Sequence, residues 1–155
     1  MAKNKTLSPE KYFGVQELVF RFMRTFDEKD WLGMKACLTK SVDCDYSSFR
    51  GTPPGRITKE KYVAQREKSL STLKTLHNLS NLSMASIGKS IEVKCNYAIL
   101  RFHPDFKGSR KHFFHSYGCY RFIAIREGRI WRISAIVQRL LMNDGNPALH
   151  GGTRR

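Results

Sequence analysis

Acidic residues are scarce in this chain of 155 residues: 13 Asp and Glu stand against 28 Lys and Arg, a formal net charge of +15. This excess makes attraction to polyanions a hypothesis, but it does not determine a fold. The chain is 41% hydrophobic and 12% aromatic, enough to build a core at this length. The composition therefore excludes global disorder and predicts a single domain over residues 1–155, with its core over about 8–142.

Long apolar runs are missing as well. No stretch approaches the roughly 20 apolar residues of a membrane-spanning helix, and residues 1–5 lead into polar sequence rather than an apolar signal-peptide core. We therefore expect a soluble, cytoplasmic protein with no membrane partner. The cysteines are widely spaced, without a C-x-x-C pair, and are predicted to be reduced thiols: Cys37, Cys44, Cys95 and Cys119.

The motifs of several enzyme classes are absent. The sequence has no G-x-S-x-G elbow, P-loop, G-x-G-x-x-G fingerprint, H-E-x-x-H helix or EF-hand loop. We therefore expect no cofactor, no metal, and neither nucleotide-dependent nor metalloprotease chemistry. The basic residues are scattered and no nucleic-acid recognition motif is present, so no specific nucleic-acid partner is predicted.

Three helices are predicted in the first half of the chain. Apolar spacings of three and four over residues 10–26 indicate an amphipathic helix that begins at Ser8 and Pro9. A short helix follows over residues 31–38, and a third over residues 58–70. Between these two helices the pattern favours a brief strand over 41–49 and a loop over 51–55.

The second half of the chain is β-rich. Four long runs are separated by turn residues: 74–87, 90–103, 112–127 and 129–141. Helices followed by strands predict an α+β fold, a cone-shaped, curved, mixed or antiparallel sheet wrapped around the N-terminal helices, with a ligand pocket inside the cone. The tail over residues 143–155 is rich in Gly, Asn and Arg, and we expect it to be loosely ordered.

The histidines are the candidates for proton transfer at neutral pH. His77 lies in the first long strand between two leucines, where either a desolvated reactive imidazole or a structural histidine is consistent with the sequence. His103 and His115 fall near the same end of one hairpin, and His150, in the tail, is expected to be exposed.

Two further side chains could assist an imidazole. Asp27, at the end of the first helix, could fix the tautomer of a neighbouring histidine; the alternative is a helix-end charge in solvent. Tyr46 could donate a hydrogen bond to a carbonyl or a water, or could be an ordinary strand aromatic.

Several segments resemble a known family. Residues 26–31 (FDEKDW) and 45–49 (DYSSF) are similar to scytalone dehydratases, which need no cofactor. Residues 75–77 (TLH), 117–120 (YGCY) and 128–133 (GRIWRI) resemble the wider SnoaL-like branch of the nuclear-transport-factor-2-like superfamily. The resemblance spans about residues 8–150 and implies a cone-shaped α+β barrel with a deep pocket.

The resemblance also implies roles for individual residues. The catalytic set would be Asp27, His77, Tyr46, Ser116 and a second histidine, His103, as the partner of Asp27; His115 stays open as the alternative second histidine. The substrate-binding residues would be Phe26, Phe49, Cys119, Ile136 and Gln138. Phe26 replaces a tyrosine of the dehydratases, and their aromatic C-terminal extension has no counterpart here. We therefore expect a substrate other than scytalone.

The sequence thus predicts a cofactor-independent acid–base enzyme, a dehydratase (lyase) or an isomerase. Its substrate would be a small hydrophobic secondary metabolite such as a polyketide or terpenoid. The alternatives are a non-catalytic ligand- or partner-binding module of the same fold and, on the charge alone, a nucleic-acid binder. The resemblance further implies a homo-oligomer, either a dimer or a trimer.

Overall fold

The computed structural model describes residues 7–107 and 111–150. Its helices are α1 (Pro9–Glu28), α2 (Trp31–Cys37), α3 (Ser47–Arg50) and α4 (Lys59–Leu70). Its strands are β1 (Leu38–Asp45), β2 (Gly55–Thr58), β3 (Lys74–Ile87), β4 (Ser90–Phe102), β5 (Phe114–Glu127) and β6 (Ile130–Gly145). A 3₁₀ helix follows over Pro147–Leu149. No helix among these described residues is long and apolar enough to cross a membrane.

Capping residues define the ends of the predicted helices. The Ser8 side chain accepts a hydrogen bond from the backbone N–H of Lys11, with Pro9 in the first turn of α1. Asp30 caps α2 and Thr58 caps α4 in the same way. The three helices predicted from the apolar spacing are therefore confirmed.

The strands form one six-stranded sheet in the order β2-β1-β6-β5-β4-β3. β1 and β6 are parallel, and every other neighbouring pair is antiparallel. The main core lies between α1 and the sheet and includes Val15, Phe22, Val93, Phe122 and Ile133. The predicted α+β class with a mixed sheet is confirmed.

The structure corrects the sequence predictions at two places. The 41–49 segment is split: β1 ends at Asp45, and Ser47–Arg50 forms the short helix α3. Residues 143–150 of the tail are ordered, because β6 pairs with β5 as far as Gly145 and the Asn146 side chain caps the 3₁₀ helix. His150 is only 4% exposed and packs edge-on against Phe49, so its predicted exposure is wrong. Residues 151–155 lie outside the described residues.

Gly118 is required where β5 shifts register against β6. A Cβ atom there would lie 2.0 Å from the backbone oxygen of Arg139. We expect Gly118→Ala to lower the free energy of unfolding by about 1–3 kcal/mol, because the strands must separate to admit a methyl group. Urea unfolding measures the change. Gly55→Ala is the control, since a Cβ atom added at Gly55 would meet nothing within 4 Å; equal stability of the two variants would contradict the prediction.

Candidate active site

The last turn of α1 and the start of β3 place a carboxylate against an imidazole. Asp27 Oδ1 lies 2.6 Å from His77 Nδ1, and Asp27 Oδ2 accepts a 2.9 Å hydrogen bond from the backbone N–H of His77. The Thr75 hydroxyl donates to Asp27 Oδ1 at 3.0 Å. The side chain of His77 is 3% exposed and that of Asp27 is 21% exposed. Asp27 is therefore held by three hydrogen bonds, and one of them orients the His77 ring.

Asp27 occupies a position that helix electrostatics disfavour, because the negative end of the helix dipole lies at the C-terminus. Burial would raise the pKa of Asp27, but the hydrogen bonds and charge of His77, with the Thr75 hydrogen bond, lower it below its ordinary value. Lys29 adds a positive charge at the same helix end, where its Nζ donates to the Phe26 carbonyl at 2.9 Å and to Thr75 Oγ1 at 3.0 Å. Asp27 is therefore ionised at neutral pH.

His77 is a neutral imidazole at neutral pH. Burial lowers its pKa below 6.5; Asp27 opposes this shift, whereas the charges of Arg101 and Lys29 lower the pKa further. Because an ionised carboxylate can only accept, the short contact to Asp27 assigns the ring proton to Nδ1. Nε2 is then the basic nitrogen. An oriented neutral imidazole of this kind can act as a general base.

We expect the imidazole of His77 to titrate below pH 6.5 and, in Asp27→Asn, at a still lower pH, because the carboxylate raises its pKa. In the unfolded chain His77 has its ordinary pKa of 6.5, so between that value and its lower pKa in the folded chain the unfolded chain binds more protons. His77 therefore makes the free energy of unfolding fall as the pH drops below 6.5. Histidine ¹H–¹⁵N NMR spectra recorded against pH measure both shifts. Asp43→Asn, at an exposed position, is the control; a His77 pKa above 6.5 in the wild-type chain would contradict the prediction.

His77 lines a buried cavity of about 20 Å³, which has room for about one water molecule. The Phe26 ring packs on the imidazole with centroids 4.7 Å apart. The cavity is enclosed by side chains from the helices and strands, from the 45–50 segment and from the C-terminal segment: Phe26, Tyr46, Phe49, Arg50, Arg66, Leu70, His77, Ile99, Arg101, Tyr120, Gln138 and His150.

A second, larger cavity of about 720 Å³ adjoins the first. Tyr46, Arg50 and Arg66 line both cavities and so form the wall between them. Within that wall the Tyr46 and Tyr62 hydroxyls are 2.7 Å apart, and burial raises the pKa of Tyr62 well above its ordinary value. The larger cavity therefore lies next to the cavity that His77 lines.

Three arginines line the inner cavity. Arg66 is 4% exposed and Arg101 is 2% exposed, while Arg50 is partly buried. Burial lowers the pKa of Arg101 to about 10, and the pKa of Arg50 is lowered to about 10 by burial and by the charge of Arg66. Arg101 Nη1 donates to Ser116 Oγ at 2.9 Å. The cavity therefore combines three positively charged side chains with the imidazole of His77.

The structure brings together five of the predicted site residues around the cavity, in addition to Asp27: His77, Tyr46, Phe26, Phe49 and Gln138. Ser116 is fully buried one layer behind, against Arg101. Ile136 is a fully buried core residue that does not line the cavity.

Other predicted residues lie elsewhere. His103 is not the partner of Asp27, because His77 contacts that carboxylate and His103 follows the end of β4 at Phe102. His115 accepts from the backbone N–H of Arg101 and stacks on Phe113. Cys119 is exposed and lines a groove on the outer face of the sheet, because its neighbours Gly118 and Tyr120 take the inward positions of β5.

The arginines are the cavity residues that the sequence reasoning missed. Arg66 shares one side of α4 with Tyr62, Val63 and Leu70, and an arginine on an apolar helix face is a signal that could have been used. Arg101 follows Tyr97 and Ile99 at the inward positions of β4. In both cases an arginine occupies a position that the helical or strand periodicity assigns to the buried face.

Comparisons with known proteins agree with this architecture. The Kfla4162 protein from Kribbella flavida superposes with a TM-score of 0.84 at 19% identity, over 92% of this chain and 98% of that one. A candidate scytalone dehydratase from Novosphingobium aromaticivorans gives 0.75 at 12% identity, over 88% of each chain. A hexachlorocyclohexane dehydrochlorinase gives 0.72 at 12% identity, over 91% of this chain and 92% of that one. At such identities these likenesses show the fold.

A search of curated proteins finds no significant match. The family model of the SnoaL-like domain, by contrast, matches residues 10–137, which include α1, α2 and α4 and most of the sheet. The resemblance read from the sequence is thus confirmed at the level of family and fold. The chain belongs to the SnoaL-like domain family and has the nuclear-transport-factor-2-like α+β fold.

Proposed function

We propose that this protein is a cofactor-independent acid–base enzyme, a dehydratase or an isomerase, in which His77 is the general base. The observation that carries the proposal is the Asp27–His77 pair, with a 2.6 Å contact at the wall of a buried cavity. The names of two structural neighbours, the candidate scytalone dehydratase and the dehydrochlorinase, describe eliminations and agree with it.

The proposed reaction begins at a carbon next to a carbonyl group. His77 Nε2 takes the proton from that carbon, the C–H electron pair forms an enolate, and Asp27 stabilises the resulting imidazolium. In a dehydration the enolate expels a β-hydroxyl group, which takes the proton from His77 and leaves as water. In an isomerisation the same proton returns to another carbon. Tyr46, with its hydroxyl at the cavity wall, is a proposed donor to the enolate oxygen.

The lining supports a small, partly aromatic substrate. Phe26, Phe49 and Tyr120 form apolar walls, and Gln138 adds an amide that can orient a polar group. A substrate larger than a water molecule has to displace some of the lining side chains, which include Phe49 and Arg50 of α3 and His150 of the C-terminal segment. Ser116 acts as a positioning residue for Arg101. The homo-oligomer and the cytoplasmic location stay predictions.

The small cavity favours one alternative, a non-catalytic binding module. Its volume of about 20 Å³ fits a water molecule. A cavity this small is also expected in a protein that keeps the fold but has lost catalytic activity. The two functions differ in one measurable respect, because only the enzyme exchanges carbon-bound protons with solvent.

The decisive experiment is deuterium incorporation from D₂O into a panel of small carbonyl compounds with acidic C–H bonds. The panel includes neutral compounds and their carboxylated counterparts, and mass spectrometry records the exchange. Enzyme-dependent exchange that requires His77 supports the proposal. Absence of exchange across the panel, with the protein folded, supports the binding module instead.

A further inference from the structure

The three cavity arginines lack the partners that buried arginines normally have. Among the described residues no carboxylate lies within 4.0 Å of the guanidinium groups of Arg50, Arg66 or Arg101. Each group also keeps a buried nitrogen without a hydrogen bond: Nε of Arg50, Nη1 of Arg66 and Nε of Arg101. Buried charges in proteins are almost always paired, because desolvation is expensive.

Aromatic rings account for part of this arrangement. The Arg66 guanidinium carbon lies 4.3 Å from the Tyr62 ring centre and 4.7 Å from that of Tyr46. Arg101 lies 5.4 Å from the ring centres of both Phe49 and Phe114. These rings offset some of the lost hydration. They leave one buried N–H-bearing nitrogen of each guanidinium group without an acceptor, and such in-plane N–H groups are the ones that bind carboxylates.

The larger cavity next to these arginines is also positively charged. The larger cavity adds Lys68 to the shared Arg50 and Arg66, and the described residues that line it include no Asp or Glu. The carboxylate of the inner site, Asp27, is engaged by His77 and Thr75. A negatively charged ligand would therefore meet positive charge in both cavities.

We infer that the substrate of this site carries a carboxylate, or a similar compact oxyanion, which binds to the free guanidinium nitrogens of Arg50, Arg66 and Arg101. The inference rests on the proposed function for the identity of the ligand as a substrate, and it narrows the substrate class to anions. The anionic group takes the arginine side of the cavity, and the carbon acid faces His77 across it. The same guanidinium groups stabilise negative charge that develops on the enolate.

The test measures binding without catalysis. Acetate and benzoate are titrated into the protein by calorimetry at 150 mM salt, with acetamide and benzamide as neutral counterparts. We expect at least one carboxylate to bind tenfold or more tightly than its amide. We also expect Arg101→Met and Arg66→Met to weaken that binding at least tenfold, with circular dichroism confirming that each variant is folded. Arg101→Lys, which keeps the charge, should retain part of the binding.

Arg56→Met is the matched control, because Arg56 is an exposed arginine that pairs with Asp43; it should change the affinity less than twofold. No preference for either carboxylate over its amide overturns the inference, and so does carboxylate binding that Arg101→Met and Arg66→Met leave unchanged. The calorimetry is repeated with His77→Gln. Anion binding by this variant, which lacks the base, separates a failure of the proposed catalysis from a failure of the anion site.

Discussion

Replacing His77 with glutamine is expected to lower the rate of deuterium exchange by about 10²–10⁴-fold, the usual contribution of a positioned general base. Glutamine can keep the hydrogen bond to Asp27 but has no basic nitrogen. The backbone N–H of His77 holds Asp27 Oδ2 at 2.9 Å whatever the side chain, so the end of α1 stays anchored to β3. Loss of rate with an unchanged circular dichroism spectrum is therefore the expected result.

Asp27→Asn tests the other half of the pair. An amide can present its NH₂ group to Nδ1, which favours the tautomer with the proton on Nε2, the nitrogen that must accept the substrate proton. We expect the rate to fall tenfold or more, with its pH dependence displaced to lower pH, because the carboxylate no longer raises the pKa of His77.

His103→Gln is the matched control for His77→Gln. The sequence resemblance predicts His103 as the partner of Asp27, whereas in the structure His103 follows the end of β4 and does not line the cavity. We expect His103→Gln to retain at least half of the wild-type rate. A wild-type rate for His77→Gln, or an equal loss for His103→Gln, would remove His77 from the role of general base.

The sequence was most informative where a periodic pattern met a clear boundary. Apolar spacing and the cap residues Ser8 and Asp30 located the helices, and two short glycine turns located the long strands. The short strand β2 was not predicted, because its four residues, Gly55–Thr58, contain one partly buried side chain and show no alternation of buried and exposed residues. The ordered structure of residues 143–150 was not predicted either, since it depends on the pairing of β6 with β5.

At the site, the resemblance predicted Asp27 and His77 but misplaced the second histidine. His103 follows the last residue of β4, Phe102, and a resemblance does not show where a strand ends. The alternation of β4, with Tyr97 and Ile99 inward, continues to Arg101. Arginine is usually a surface residue, so the predicted strand over 90–103 gave no reason to place Arg101 in a cavity. Cys119 was misassigned for a different reason: a shift of one residue along a strand moves a side chain to the opposite face, and position 119 of β5 faces outward.

The arginines lead to the last prediction, which concerns stability. Burial lowers the pKa of Arg101 from its ordinary value to about 10. The lowered pKa means that the charged form is less favourable in the folded chain than in the unfolded chain by about 3 kcal/mol at neutral pH. We therefore expect the charge of Arg101 to weaken the fold in the absence of a ligand. Removing the charge should stabilise the protein, provided that no polar group is left without a partner.

Ser116 is the group that Arg101→Met would leave without a partner. Its hydroxyl is fully buried and accepts from Arg101 Nη1, and an unsatisfied buried hydroxyl costs about 1–3 kcal/mol. The two effects nearly cancel in Arg101→Met alone. In the double variant Arg101→Met/Ser116→Ala we expect the free energy of unfolding to rise by about 1–3 kcal/mol, while carboxylate binding falls at least tenfold.

Urea unfolding at neutral pH measures this change as a higher midpoint with an unchanged slope. Arg56→Met, at an exposed ion pair, should stay within about 0.5 kcal/mol of the wild-type protein. A double variant less stable than the wild-type chain would show that Arg101 serves the fold through its contacts with Phe49 and Phe114. A more stable double variant that has lost carboxylate binding would show the opposite. The fold would then carry an unpaired buried charge at a cost in stability, and a bound anion is the partner that compensates it.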